Sequence, residues 1–349
     1  MRSHDGGLDI RRVVERAVVF VERHQRPDGA VVSSPAGEFD PWDHVESAMA
    51  LDVGGRHHAA AAALDWVAEQ QHGDGGLWSR YCASGAARTR PVPRVRESHG
   101  ASYVAVGAWH HFLVTGDRDW LAAYWPTVRA GVNFALSLQV ESGAIHWALD
   151  AAGNPWPDTL VAGAASVRAA LECGRRAAHL LGEPEADEWP WRLRQLDESF
   201  ASEQSWGATF AESGERFSMH WYYPVLAGIV TGEAARQRMR RDWGRFVVDW
   251  HGCRCVADRP WVTIAESSEL AIALRTAGME AEAREVLEWQ LEWQEGDGGF
   301  RMGTALNWGQ WPDERPSWTA AAIVLAADAL HEHTPGAALF PSLARAPGE

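Results

Sequence analysis

The sequence predicts an all-α chain of six helical hairpins that close into an (α/α)6 barrel, or toroid. Three observations predict it. Apolar residues recur at helical spacing while strand signals are scarce, six prolines count out comparable units, and the loops between helices resemble one another.

From the N-terminus, apolar positions recur at intervals of three and four along 10–24, 45–53, 59–70 and 102–114. The pattern returns along 120–138, 160–171, 188–200, 236–248, 264–275, 280–293 and 318–329. Pro41, Pro93, Pro157, Pro224, Pro260 and Pro316 each sit at or shortly before an apolar helix, where proline fits a helix start. Their spacings are 52, 64, 67, 36 and 56 residues, which marks six units. The first helix of a unit carries charges, such as Arg11, Arg12 and Glu15 or Arg284, Glu285 and Glu288, and suits an outer, half-exposed position. The second is rich in Ala, Gly and Ser, as in 47–50 and 162–165, and suits close packing inside a ring. The loops Gln25-Arg26-Pro27-Asp28-Gly29, Gln71-His72-Gly73-Asp74-Gly75-Gly76 and Gln294-Glu295-Gly296-Asp297-Gly298-Gly299 share one pattern. Residues 1–349 are expected to form a single domain.

Composition narrows the chemistry. All 32 basic residues are Arg, and a chain without Lys has no Schiff-base, Walker-A or kinase-lysine chemistry. The formal net charge of −15 repels phosphate backbones, so nucleic acid is not an expected partner. No apolar run approaches the ~20 residues of a membrane span, and the four Cys make no disulfide framework. A soluble, cytoplasmic protein with free thiols is expected. Twenty Trp is a heavy load for 349 residues, and Trp serves either as core filler or as a platform for flat apolar faces such as sugars.

The shared loop pattern is similar to the repeat of terpene cyclases and protein prenyltransferases, whose toroid is also used by six-hairpin glycosidases. In such a ring the long loops deliver functional groups to one mouth. Those positions hold Asp43, His44 and Glu46; Glu97 and His99; Asp158; His220, Trp221, Tyr222 and Tyr223; Glu266 and Glu269; and Trp308, Trp311, Asp313, Glu314 and Trp318. Structural readings compete. Asp43 and Asp158 suit helix caps, Tyr222-Tyr223 suits a core, and Glu266 suits a solvated face. Paired carboxylates in a Trp-lined cavity are the requirement of glycoside hydrolysis, with Trp42, Trp221 and Trp318 placed to stack on sugar rings. Terpenoid chemistry lacks its motif, since the chain has no Asp-Asp pair. The stretch Asp249-Trp250-His251-Gly252-Cys253-Arg254-Cys255 holds zinc-ligand types at poor spacing, so no metal and no cofactor are expected.

Pro41-Trp42-Asp43-His44-Val45-Glu46 and Thr263-Ile264-Ala265-Glu266, with the Lys-free, Arg- and Ala-rich composition, resemble the methylmannose polysaccharide hydrolases of mycobacteria. That resemblance implies an intracellular (α/α)6 enzyme cutting an α-1,4-linked, 6-O-methylated mannose chain, with Asp43 and Glu266 as catalytic carboxylates. Expected around them for substrate binding are Trp42, His44, Glu46, Glu97, His99, Asp158, His220, Trp221, Tyr222, Tyr223, Glu269, Trp311 and Trp318. Inverting chemistry is expected, with Glu266 in the more apolar stretch as general acid and Asp43 as base. A prenyl-transfer or terpenoid enzyme and a non-catalytic carbohydrate-binding protein stay open as alternatives.

Overall fold

The computed structural model of the chain describes residues 9–33, 37–83, 89–201, 203, 206–307, 309–310 and 312–344. Helices dominate; each of the eleven apolar runs holds one, and four shorter helices are not placed by the periodicity. In chain order the helices are α1 (Ile10–Arg23), α2 (Pro41–Val53), α3 (His57–Gln70), α4 (Ser98–Ser102), α5 (Val104–Thr115) and α6 (Arg118–Ser137). There follow α7 (Val161–Leu181), α8 (Glu185–Ser199), α9 (Trp206–Thr209), α10 (Ser218–Leu226) and α11 (Gly232–Phe246). The last are α12 (Ile264–Thr276), α13 (Glu280–Leu291), α14 (Ser317–His331) and α15 (Leu339–Leu343).

Two kinds of helix alternate. α1 turns Val13, Val14, Ala17, Val18 and Val21 inward and leaves Arg11, Arg12 and Glu15 exposed, as its spacing requires. α14 is buried all round from Thr319 to Leu330, which its small residues permit. The buried helices follow one another in space. α2 packs on α5, α5 on α7, α7 on α10, α10 on α12 and α12 on α14, and α14 returns to α2. Each amphipathic helix flanks them: α1 on α14 and α2, α3 on α2 and α5, α6 on α5 and α7, α8 on α7, α11 on α10, and α13 on α12 and α14. The hydrophobic core lies between the two sets.

The recurring loops fasten one flanking helix to the next. Gln71 Nε2 donates to Gly75 O inside its own loop and to Thr127 O of α6. Gln25 does the same to Gly29 O and Ala59 O of α3, and Gln294 to Gly298 O and Val13 O of α1. A fourth clasp, Gln139 on Gly143 O and Arg192 O of α8, has no Asp-Gly and is not evident in the sequence pattern. Glycine is required for two reasons at once. Gly75 and Gly298 have φ of +88° and +96°, and a Cβ on either would run into a carbonyl of the clasped helix.

Two features depart from expectation. Pro224 does not open a helix; it lies inside α10, where it removes the N–H that would bond to His220 O. Buried Arg238 of α11 supplies the missing donor, with Nη2 on His220 O at 2.7 Å and Nε on Trp221 O at 2.8 Å. Short antiparallel strands also form in the loops: β1 (Glu38–Phe39), β2 (Tyr81–Cys82), β3 (Arg90–Pro91), β4 (Val95–Glu97) and β5 (Ala148–Asp150). A five-stranded sheet runs in the order β10-β9-β8-β7-β6, from β6 (Val247–Val248), β7 (Gly252–Arg254), β8 (Trp261–Thr263), β9 (Gly303–Ala305) and β10 (Gly309–Gln310). β8 runs directly into α12, and Ser267 Oγ accepts the N–H of Cys253 at 2.8 Å, so the sheet holds the first turn of α12 in place. Among the described residues no helix is long and apolar enough to cross a membrane.

Candidate active site

The first turns of the buried helices are in register. The third residue is Asp43 in α2, Gly163 in α7, His220 in α10 and Glu266 in α12; the sixth is Glu46, Ser166, Tyr223 and Glu269. Residues three apart share a helix face. Glu46, Tyr223, Glu269 and Ala322, sixth in α14, meet around a small void with Tyr103. Gly163, His220 and Glu266 open instead into a cleft of about 390 Å³. Trp42, Trp147, Trp156 and Phe217 supply its aromatic lining, and Leu160, Val161, Ala162 and Met219 much of the remaining apolar surface. His99, Asp158, Cys255, His220 and Glu266 are its polar groups.

Asp43 stands one residue from Trp42, in a knot of acids. The cap of α2 is Asp40, whose Oδ1 accepts the Asp43 N–H at 2.9 Å and whose Oδ2 pairs with Arg80 at 2.9 Å. Asp43 is thereby released from capping. Burial pushes its carboxyl well above the usual range, and the nearby Asp40 and Glu46 push the same way, against Arg80. Glu46 is raised to about 7, chiefly by burial, although Trp42 and Tyr103 hydrogen-bond to it. Glu269 is raised by burial and by Glu46 opposite, against the bond donated by Tyr222 Oη. Glu266 adjoins the thiol of Cys255, which burial and this carboxylate together hold protonated.

The expected site residues divide. Trp42, His99, Asp158, His220 and Glu266 line the cleft, and Asp43 belongs to the cluster behind Trp42. Asp158 is exposed and caps nothing, since α7 begins after Leu160 without a side-chain cap. Burial, with Arg238 and Arg245, holds His220 down to about 4. His44 does not reach substrate. It is 1% exposed, accepts the Val31 N–H at 3.1 Å and donates from Nε2 to Ala63 O at 2.8 Å. Trp221 is core, stacked on Phe246 at 5.2 Å with Nε1 on Arg238 O. Tyr222 and Tyr223 are core as well, and Glu46 and Glu269 sit in the layer beneath the cleft rather than in it. Glu97 pairs with His99 Nε2 at 3.2 Å and does not itself line the cleft. Trp318 is half-buried outside the cleft, and Trp311 and Trp308 lie outside the described residues.

Sequence reasoning missed Trp147, Trp156, Phe217 and Met219. Trp156 had a signal, because it directly precedes Pro157-Asp158; it meets Trp147 edge-on at 5.5 Å. Asp40 and Tyr103 gave no signal apart from their neighbours.

No protein family model matches the chain. A curated relative does. The chain is 40% identical over 317 residues to the MMP endo-(1,4)-3-O-methyl-α-D-mannosidase of Mycolicibacterium hassiacum, covering 90% of this chain and 85% of the relative. The chain belongs to the methylmannose polysaccharide hydrolase family. As a member of that family it is a glycoside hydrolase, which removes the terpenoid and non-catalytic alternatives. The relative's name sets the methyl group of its own substrate on O3, where the resemblance led to an expectation of O6. Solved glycosidases share the fold. A wild-type glycosidase superposes with a TM-score of 0.71 at 16% identity, over 93% of this chain and 99% of its own. A family 63 mannosylglycerate hydrolase from Thermus thermophilus, solved with glucose, gives 0.66 at 15% identity, over 89% and 99%.

Proposed function

We propose that this methylmannose polysaccharide hydrolase is a one-domain (α/α)6 barrel that cuts internal α-1,4 bonds of a 3-O-methylated mannan by inversion, without metal. The return of α14 to α2 supports the barrel, and the identity to the Mycolicibacterium enzyme supports the substrate. Four cysteines that form no disulfide with one another support a cytoplasmic setting, and the charge of −15 leaves a neutral glycan a better partner than nucleic acid.

One observation carries the chemistry: Asp43 and Glu266 occupy equivalent third positions of α2 and α12, in unlike electrostatic settings. Asp43, whose carboxyl is raised well above the usual range by burial and by two neighbouring acids, suits the general acid. Glu266, which lines the cleft from the matching position of α12, suits the base. This reverses the roles expected from the apolar sequence around Glu266. The Asp43 proton passes to the glycosidic oxygen as that bond breaks. Glu266 takes a proton from water as its oxygen bonds to the anomeric carbon. Trp42, Trp147 and Trp156 offer faces for the sugar rings.

The test is digestion of 3-O-methylated α-1,4-mannooligosaccharides, their unmethylated counterparts and α-glucans, with products read by mass and anomer by NMR. Internal fragments carrying the inverted anomer are expected. An absence of product from every mannan would overturn the substrate, and a retained anomer would overturn the mechanism.

A further inference from the structure

The turn between β6 and β7 carries a tryptophan in a place that suits neither its size nor its apolar ring. Trp250 is 75% exposed, more than any other large apolar residue among those described. Its φ is +66°. The His251 N–H donates to Val248 O at 3.0 Å, so Trp250 takes the third position of a four-residue turn. A positive φ there calls for Gly or Asn, and a bulky residue is strained by it. The chain offers the indole little in return: the Trp289 ring lies 6.2 Å away at 43°. Strain and exposure kept together at one residue point to work outside the fold.

The base under this ring is firm. Gln290 Nε2 of α13 donates to His251 O at 2.9 Å, and Ser267 Oγ of α12 accepts the Cys253 N–H at 2.8 Å. A Cβ on Gly252 would lie 2.3 Å from Ser267 Oγ and 2.6 Å from Gln290 Nε2, so the strand rests directly on both helices. From the turn, β7 leads to the cleft, where Cys255 is part of the wall. Five residue steps separate Trp250 from Cys255, a span of no more than about 18 Å. β8, paired with β7, runs into α12 and Glu266. Trp250 therefore stands on the rim of the mouth, at the outer end of the sheet whose inner end borders the cleft.

We propose that Trp250 is an outlying sugar platform, which holds a stretch of the glycan chain after it has left the cleft. The inference rests on the methylated-mannan reading and gives that long substrate a second point of hold. Continuity through β7 makes the glycan in the cleft the occupant, since a chain that leaves along the sheet meets the ring. A flat indole suits the carbon face of a sugar ring, and O-methylation makes such a face more apolar. Trp250 touches no reacting atom, so its contribution falls on KM, and only for chains long enough to reach it.

The experiment uses the full chain, as wild type, Trp250→Asn and Trp250→Tyr, on 3-O-methylated α-1,4-mannooligosaccharides of increasing length. Asn accepts the positive φ, so the melting temperature of Trp250→Asn is expected to hold or rise. On the shortest chains cleaved, the three proteins should share one kcat/KM. On longer chains the wild type should gain through a lower KM, while Trp250→Asn falls behind it severalfold at unchanged kcat. Trp250→Tyr, which keeps an aromatic face, should recover most of the gain. An equal loss at every length, no loss at any length, or a Tyr variant no better than Asn would each overturn the inference while leaving the hydrolase intact. So would a wild-type dimer that Trp250→Asn dissolves, since the ring would then face a second copy of the chain. A wild type that cleaves no chain of any length overturns the substrate reading and this inference with it.

Discussion

The indole N–H of Trp42 donates to Oε1 of Glu46 at 2.7 Å, and this bond ties an aromatic face of the cleft to the buried acid layer beneath. The Tyr103 hydroxyl donates to the same oxygen at 3.0 Å, and the two rings lie 4.9 Å apart. Glu46 thus positions Trp42 without lining the cleft.

Its raised pKa gives a stability signature. The carboxyl moves from 4.5 to about 7 on folding, so the folded state binds the proton more tightly. The associated stability is fully present below pH 4.5 and is lost as pH rises through 7. The loss is at most about 3 kcal/mol. Glu46→Gln keeps an acceptor for both donors but cannot ionise. Relative to wild type, its urea-unfolding free energy is expected to climb between pH 4.5 and 8; a pH-independent difference would show that Glu46 does not hold this proton.

Asp43→Asn and Glu266→Gln are each expected to lower kcat by at least ~10²-fold while the melting temperature stays within a few degrees. Asp158→Asn, at an exposed cleft position, should cost much less. Steady-state kinetics on a methylated oligosaccharide checks the ranking. Abolished turnover in Asp158→Asn beside an active Asp43→Asn would move the acid to the loop before α7.

The tryptophans separate by burial. Trp156 is 41% exposed in the cleft, and alanine there should raise KM severalfold with little change in stability. Trp221 is 2% exposed, and Trp221→Ala should cost ~3–5 kcal/mol of stability. Denaturant melts paired with KM values decide it, and equal destabilisation by the two would remove Trp156 from substrate binding.

Both proton transfers in the proposed mechanism fall to carboxylates, so exhaustive chelation is expected to leave turnover unchanged. Among the described residues no three His, Cys, Asp or Glu are grouped to hold a metal ion. Activity lost on chelation and restored by zinc would require a different mechanism.

The helices are legible in the sequence because burial on one face writes a period into fourteen or so consecutive residues. The strands of two or three residues have no room for an alternation and are not legible. The site is legible in part. The acid at the third position of α12 stands out against Ile264 and Ala265, but whether a neighbouring aromatic faces cleft or core depends on another helix. Trp221 and Trp42 both sit beside polar residues at a helix start. Phe246 and an Arg238 carbonyl enclose the first, and nothing within α10 announces them. His44 misleads for the same reason: its partners are a loop amide and a carbonyl of α3.

The clasp of Gln294 on Val13, with Gly298 set against the backbone of Arg16, joins segments 281 residues apart in the chain. During synthesis α1 emerges some 281 residues before the loop that fastens it. At the usual ~5–20 residues per second, α1 spends many seconds with its apolar face short of its final neighbours. On the ribosome the exposure of α1 therefore ends only when the hairpin of α13 and α14 has been made.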